Sequence, residues 1–286
     1  MRRTVLFLPG NSPNMIINGG IFGSDSLILD LEDGVSVSQK DAARYLVRES
    51  LRTLDFGSSE RIIRINGMNT PFWKQDLNAV IPMKPEAVMV TKAGCADDIL
   101  KMEAEISRLE NEFCIPQGSI QIAPLLETAS GVENAYQIAA SSPRVKALYL
   151  GAEDLTADLR CGRTKEGREI LYAREKIVYS ARAAGREAYD TPFADINDMN
   201  GLEEDTKTAK SLGFTGKMAV SPRQLGCIRR IFYPSPDEIL YARAVYEAAG
   251  LAKRQGKGVV SLDGKMIDAP IVLRARQVLE EIDEGE

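Results

Sequence analysis

Ser26-Leu-Ile-Leu-Asp-Leu-Glu-Asp33 is an apolar run that ends in carboxylates, at Asp30, Glu32 and Asp33. The same order, an apolar run followed by polar or charged residues, recurs along the chain. The run from Val5 ends in Gly10-Asn11, Arg61-Ile-Ile-Arg-Ile-Asn66 carries Arg64 and Asn66, and Glu86-Ala-Val-Met-Val-Thr-Lys92 ends in a lysine. Further on, similar runs end in Glu127-Thr128, Glu153-Asp154 and Asp190, and the last carries Lys217 and Ser221. Strands are expected at 3–8, 26–31, 60–66, 86–92, 119–126, 145–151, 186–190 and 214–220. Their continuous apolar runs suit parallel strands buried on both faces. Helical spacing of apolar residues falls between most of them, at 38–54 (with Ser38 as its cap), 96–113, 130–140, 165–184 and 197–212. This alternation predicts an α/β fold, a (β/α)8 TIM barrel, with a C-terminal helical extension. The C-terminal strand ends of such a barrel meet on one rim, where active sites lie. Several carboxylates and an arginine there would suit a divalent metal and an anionic substrate.

The domain reading is a catalytic barrel over 1–234 and an extension over 235–286. Helix 222–232 would close the barrel, and Tyr233-Pro-Ser-Pro236 would form the joint. Helix 237–255, a hairpin or loop at 256–264 and helix 270–283 would follow.

The chain has 286 residues, 44% hydrophobic and 27% charged, with a net charge of −5. That size suits one barrel plus an extension. The negative balance, with no basic block, argues against nucleic-acid binding. No apolar stretch approaches bilayer-spanning length, and the apolar run after Met1-Arg-Arg ends at Pro9, too short for a secretory signal. Cys95, Cys114, Cys161 and Cys227 form no CxxC pair, so reduced thiols in a cytoplasmic protein are expected. Histidine is absent. That excludes a Ser-His-Asp triad, a Cys-His pair and a His-liganded zinc site. Acid–base work then falls to Asp, Glu, Lys, Tyr, Cys or a metal-bound water.

Glu127 and Asp154 follow adjacent strands, and carboxylates so placed can share one Mg²⁺ through oxygen. They could equally cap the helices that follow. Asp30, Glu32 and Asp33 need a neutralising cation or arginine; they suit the surroundings of a metal or a solvated acidic turn. Arg64, inside an apolar strand, is read as a bidentate partner for a substrate carboxylate, with an ion pair to the Asp30–Asp33 cluster as the alternative. Asp190, Lys92 and Lys217 are read as structural ion pairs. Gly10-Asn11 and Gly131 could bring backbone amides to an anion or simply make tight turns.

Leu6-Phe-Leu-Pro-Gly-Asn11, Leu29-Asp-Leu-Glu-Asp-Gly-Val35, Arg64-Ile-Asn66, Glu127-Thr-Ala-Ser-Gly-Val132, Gly151-Ala-Glu-Asp-Leu155 and Gly213-Phe-Thr-Gly-Lys217 occur in this order. Together they resemble the HpcH/HpaI aldolase–citrate lyase family of acyl-thioester lyases with a (β/α)8 barrel. Asn69-Thr-Pro-Phe72 and the tail Gly258-Val-Val-Ser-Leu-Asp-Gly-Lys-Met-Ile-Asp-Ala-Pro-Ile271 point to its citrate lyase β-subunit group. The resemblance implies Mg²⁺ on Glu127 and Asp154, substrate oxygens on Arg64, Glu127 and Asn11, and metal-bound water ordered by Glu32 and Asp33. It implies an acid–base role for Asp268, delivered by a neighbouring subunit's tail; the residues alone would make Asp268 a helix cap. It implies a citryl thioester on a carrier protein or CoA as substrate, transferase and acyl-carrier subunits as partners, and a trimer-based homo-oligomer. Ser221-Pro222 departs from the His-Pro or Asn-Pro of many relatives, so position 221 is not expected to supply an essential side chain. The alternatives are a free-standing malyl- or citramalyl-CoA lyase and a non-catalytic scaffold subunit.

Overall fold

The computed structural model describes residues 2–254, 260–262 and 264–283. Eight parallel strands close on themselves in sequence order: β1 (Thr4–Pro9), β2 (Ser26–Asp30), β3 (Glu60–Ile65), β4 (Ala87–Val90), β5 (Gln121–Leu126), β6 (Ala147–Leu150), β7 (Glu187–Asp190) and β8 (Gly216–Ala219). Closure is the pairing of β1 with β8, which sets Val5 beside Met218. All eight expected strands form; seven lie within their expected spans, and β1 runs one residue past its own, to Pro9.

Alternate residues fill the barrel interior, as a period of two requires. Val5, Ile28, Ile62, Met89, Leu125, Tyr149, Tyr189 and Met218 make this inner core. Tyr149 and Tyr189 stack with ring centroids 4.9 Å apart. Arg2 bonds to Glu60 and Glu187, each at 2.7 Å. The outward faces of the strands pack under helices. Between wall and helices lies a buried ion cluster: Lys217 Nζ is 2.5 Å from Asp190 and 2.6 Å from Asp205, and Arg174 bridges the same two carboxylates. Asp190 and Lys217 are thus the structural ion pairs expected of them.

Several helices differ from their sequence reading. The second helix starts at Lys40, after a 3-10 turn over Val37–Gln39, so Ser38 lies inside that turn instead of capping. The 130–140 segment is two helices, Ala129–Glu133 and Ala135–Ala140, joined at Asn134, whose backbone leaves the helical range (φ −92°, ψ 12°) and whose side-chain amide donates to the Gly94 carbonyl. The 165–184 segment is α-helical only over Leu171–Ala183. Glu169 ties back to Thr164 and Arg163, and Gly167 takes a left-handed φ of 64°, which blocks an earlier start. Three short helices give too little periodicity to be read: Pro13–Ile17, Trp73–Val80 and Ala152–Asp158.

The chain divides into two units, Arg2–Arg229 and the part from Arg230 onward. In the second, helices Pro236–Arg254 and Ala269–Asp283 accompany an antiparallel hairpin of β9 (Val260–Leu262) and β10 (Lys265–Ile267). Ala242, Val245, Ile267 and Ala275 form its buried core. The hairpin or loop was expected at 256–264, of which 256–259 and 263 lie outside the described residues; the hairpin's second strand lies beyond that span, at Lys265–Ile267.

Candidate active site

The layer above the inner core turns polar. On β2, Ile28 faces the core and Asp30 follows two residues later; on β3 the same step leads from Ile62 to Arg64, and on β5 from Leu125 to Glu127. These side chains, with Asp33, Asp154 and Thr191, line a cavity of about 360 Å³.

Asp30 and Arg64 pair in register on adjacent strands. Asp30 receives the guanidinium on both oxygens, from Nε at 2.7 Å and Nη2 at 2.6 Å. The same carboxylate accepts the backbone amides of Glu32 and Gly34, so it also fixes the turn that carries Glu32 and Asp33. Arg64 Nη1 is 3.3 Å from Glu32, and its guanidinium lies 4.9 Å from the Phe7 ring centre. Burial works against the Arg64 charge, but the bonds and charge of Asp30, then Glu32 and Glu127, raise its pKa overall. The ion-pair alternative for Arg64 is therefore realised, and Nη1, beside Glu32, is the guanidinium nitrogen that Asp30 does not bond.

Glu127 is 2% exposed. Its Oε1 accepts the backbone amide of Lys92 at 2.8 Å. Thr128, not Glu127, caps the next helix, by accepting from the Gly131 amide, so the capping alternative fails for Glu127. Gly151 makes room for it: a Cβ there would lie 2.6 Å from Glu127 Oε2. Burial first, then repulsion from Asp154 and Glu32, pushes the Glu127 carboxyl up to about 8. Asp154 sits in the first turn of helix Ala152–Asp158, whose cap is Gly151.

Lys92 links these carboxylates, with Nζ 3.1 Å from Glu32 and 3.7 Å from Asp154. Burial lowers its pKa, but Glu32, Glu127 and Asp154 outweigh that and bring it to about 12. Glu32 itself is raised by burial, then by Asp33, against the pull of Arg64 and Lys92. Lys40 pins the turn from below, donating to the carbonyls of Leu31 and Glu32.

The other expected site residues lie differently. Asn11 bonds to Gln39 at an exposed position and is not on the cavity wall. The Gly10 amide donates to the Asp30 carbonyl and that of Gly131 to Thr128, so both serve turns and caps. Asp268 belongs to the second unit, where its carboxylate accepts the Ile271 amide at 3.3 Å at the start of helix Ala269–Asp283. Lys40 is the residue the sequence reading missed at this site; Asp30 entered that reading only within the acidic cluster, and Lys92 only as a structural ion pair. The register of β2 against β3 was the signal for Asp30.

Among the described residues, no three Asp, Glu, Cys or His side chains converge to hold a metal by themselves. Glu127 and Asp154 supply two oxygen donors at the cavity wall. That would leave positions on a hard cation for water or substrate.

Residues 3–222 match the family described as HpcH/HpaI aldolase/citrate lyase. The chain belongs to this family. It is 43% identical over 279 residues to the citrate lyase subunit beta of Leuconostoc mesenteroides subsp. cremoris, covering 98% of this chain and 92% of the relative. It is 30% identical to the L-malyl-CoA/beta-methylmalyl-CoA lyase of Cereibacter sphaeroides, covering 97% and 93%. Among solved structures it is similar to the protein CitE from Mycobacterium tuberculosis, in complex with magnesium, acetoacetate and coenzyme A. That match has a TM-score of 0.82 at 31% identity and covers 99% and 98% of the two chains. The chain is thus a member of a lyase family, with the family's barrel. No helix among the described residues is long and apolar enough to cross a membrane.

Proposed function

We propose that this chain is a magnesium-dependent carbon–carbon lyase. It would cleave a citryl thioester to oxaloacetate and an acetyl thioester, as the β subunit of a citrate lyase. The observation that carries this reading is the meeting of Glu127, Asp154 and Arg64 on one cavity. The higher identity to a citrate lyase subunit than to a malyl-CoA lyase favours citryl over malyl substrates. The residues fit a divalent cation. Carboxylates outnumber the positive side chains of Arg64 and Lys92 around the cavity, and this deficit helps to hold Glu127 up at about 8. Glu127 and Asp154 offer carboxylate oxygens, the donors a hard cation prefers.

Glu127 and Asp154 would hold the cation. When bound, magnesium would supply Lewis-acid stabilisation to the substrate oxygen that becomes the keto group. The substrate hydroxyl loses its proton to a base, the carbon–carbon bond breaks, and its electron pair leaves on the thioester as an enolate. Arg64, held by Asp30, presents Nη1 to the negative charge that develops. Asp268, from a neighbouring subunit's tail, would deliver the proton that turns the enolate into the acetyl methyl group. In this reading residues 235–286 cover the neighbour's site, the oligomer is trimer-based, and transferase and acyl-carrier subunits are the partners in the cytoplasm.

Turnover of citryl-CoA, malyl-CoA and citramalyl-CoA, compared on one preparation with magnesium, tests this. A preference for citryl-CoA supports it; a preference for either of the others moves the chain to the free-standing CoA lyases.

A further inference from the structure

Lys92 takes a left-handed backbone, with φ 52°, directly after β4. Such a conformation is uncommon for a residue with a side chain, and it clusters at functional sites. Here it aims two donors of one residue at carboxylates from three separate segments. The amide goes to Glu127, and the ammonium lies between Glu32 and Asp154. The two ammonium contacts are unequal. At 3.1 Å the Glu32 contact is a hydrogen bond, whereas 3.7 Å to Asp154 is an ion pair beyond hydrogen-bond length. The Lys92 side chain is 39% exposed, so its tip has room to move. The amide bond to Glu127 is made by the backbone and survives any change of side chain.

We infer that Lys92 is a built-in counter-cation for Glu32, Glu127 and Asp154, and that its ammonium competes with a divalent ion for Asp154. This rests on the reading of Glu127 and Asp154 as the metal-holding pair. Without the ion, the ammonium offsets part of the repulsion between Glu32, Glu127 and Asp154. When the ion arrives, two positive groups cannot share Asp154 cheaply. The longer contact breaks, and Lys92 stays on Glu32. Lys92 is thus a positioning residue that lowers the affinity of Glu127 and Asp154 for a divalent ion. An anionic keto acid in the cavity adds negative charge and relieves this competition, so metal and keto acid bind each other's complex more tightly.

The test is Mn²⁺ binding, followed by electron paramagnetic resonance, to wild type, K92M and K92R, each with a thermal melt. Removing a unit charge this close to a divalent ion should tighten Mn²⁺ binding of K92M by roughly tenfold. K92R, which keeps the charge, should bind like wild type. A merely structural lysine predicts the opposite sign, weaker binding once the site loosens. Equal or weaker binding by a folded K92M overturns the inference. Should K92M not fold, K92Q removes the same charge with a polar side chain and is read the same way. A wild type that binds no Mn²⁺ would instead overturn the metal-holding roles of Glu127 and Asp154.

Discussion

Arg64 and Asp30 stand opposite each other on adjacent barrel strands and are joined by two hydrogen bonds, at 2.7 and 2.6 Å. The pair is almost wholly buried, with side chains 12% and 4% exposed. Asp30 fixes both the guanidinium and the turn that carries Glu32, so it sets the geometry of two neighbours without being a candidate ligand itself.

Asp30→Ala leaves a buried guanidinium without its carboxylate. Breaking such a pair costs about 3–5 kcal/mol, read as a fall in the denaturant midpoint. Because Arg64 also loses its orientation, kcat should fall by about 10²–10³. Wild-type turnover in a folded Asp30→Ala enzyme would remove Asp30 from this role.

Glu127→Ala should abolish magnesium-dependent turnover while sparing the fold, since the layer below it is the intact apolar core. Magnesium titration of activity is the readout, and retained metal-dependent activity would take Glu127 out of the metal site.

The metal-free protein should lose stability as pH rises. The Glu127 carboxyl is ordinary, near 4.5, in the unfolded chain and near 8 in the folded one. Between those values the folded chain keeps a proton that the unfolded chain has released, so unfolding free energy falls with pH through that window. Below 4.5 both states are protonated and the effect is nil; above 8 the cost is complete. Melts in EDTA from pH 5 to 8 should show the decline, and magnesium should flatten it. Glu127→Gln should flatten it without metal.

If Asp268 is delivered by a neighbour, two inactive variants should rescue each other. Mixing Glu127→Ala with Asp268→Ala after joint refolding would give some sites with intact Glu127 and a neighbour's intact Asp268. Activity above either parent supports delivery across subunits. An Asp268→Ala enzyme with unchanged turnover would end its acid–base role.

The barrel was legible because apolar runs buried on both faces are rare outside parallel sheets, and each run from Val5 to Met218 marked its strand. Glu127 was legible by its place two residues beyond Leu125. The Asp30–Arg64 pair was open as an alternative but undecided, because choosing it needs the register between β2 and β3. Lys92 was read as an ion pair, and it is one. Its partners lie 60 residues earlier and 62 later in the chain, and its left-handed backbone has no sequence mark, so its central place was hidden. Asn11 follows a glycine in a loop read as able to bring backbone amides to an anion; its side-chain amide donates to Gln39.

Oxaloacetate release from citryl-CoA by the purified chain, with magnesium, with EDTA, and with magnesium restored, tests the central claim most directly. The account predicts release with magnesium, loss in EDTA and recovery on re-addition. Release that continues undiminished in EDTA would contradict the metal role of Glu127 and Asp154. No release from citryl-CoA alongside cleavage of malyl-CoA would contradict the citryl assignment.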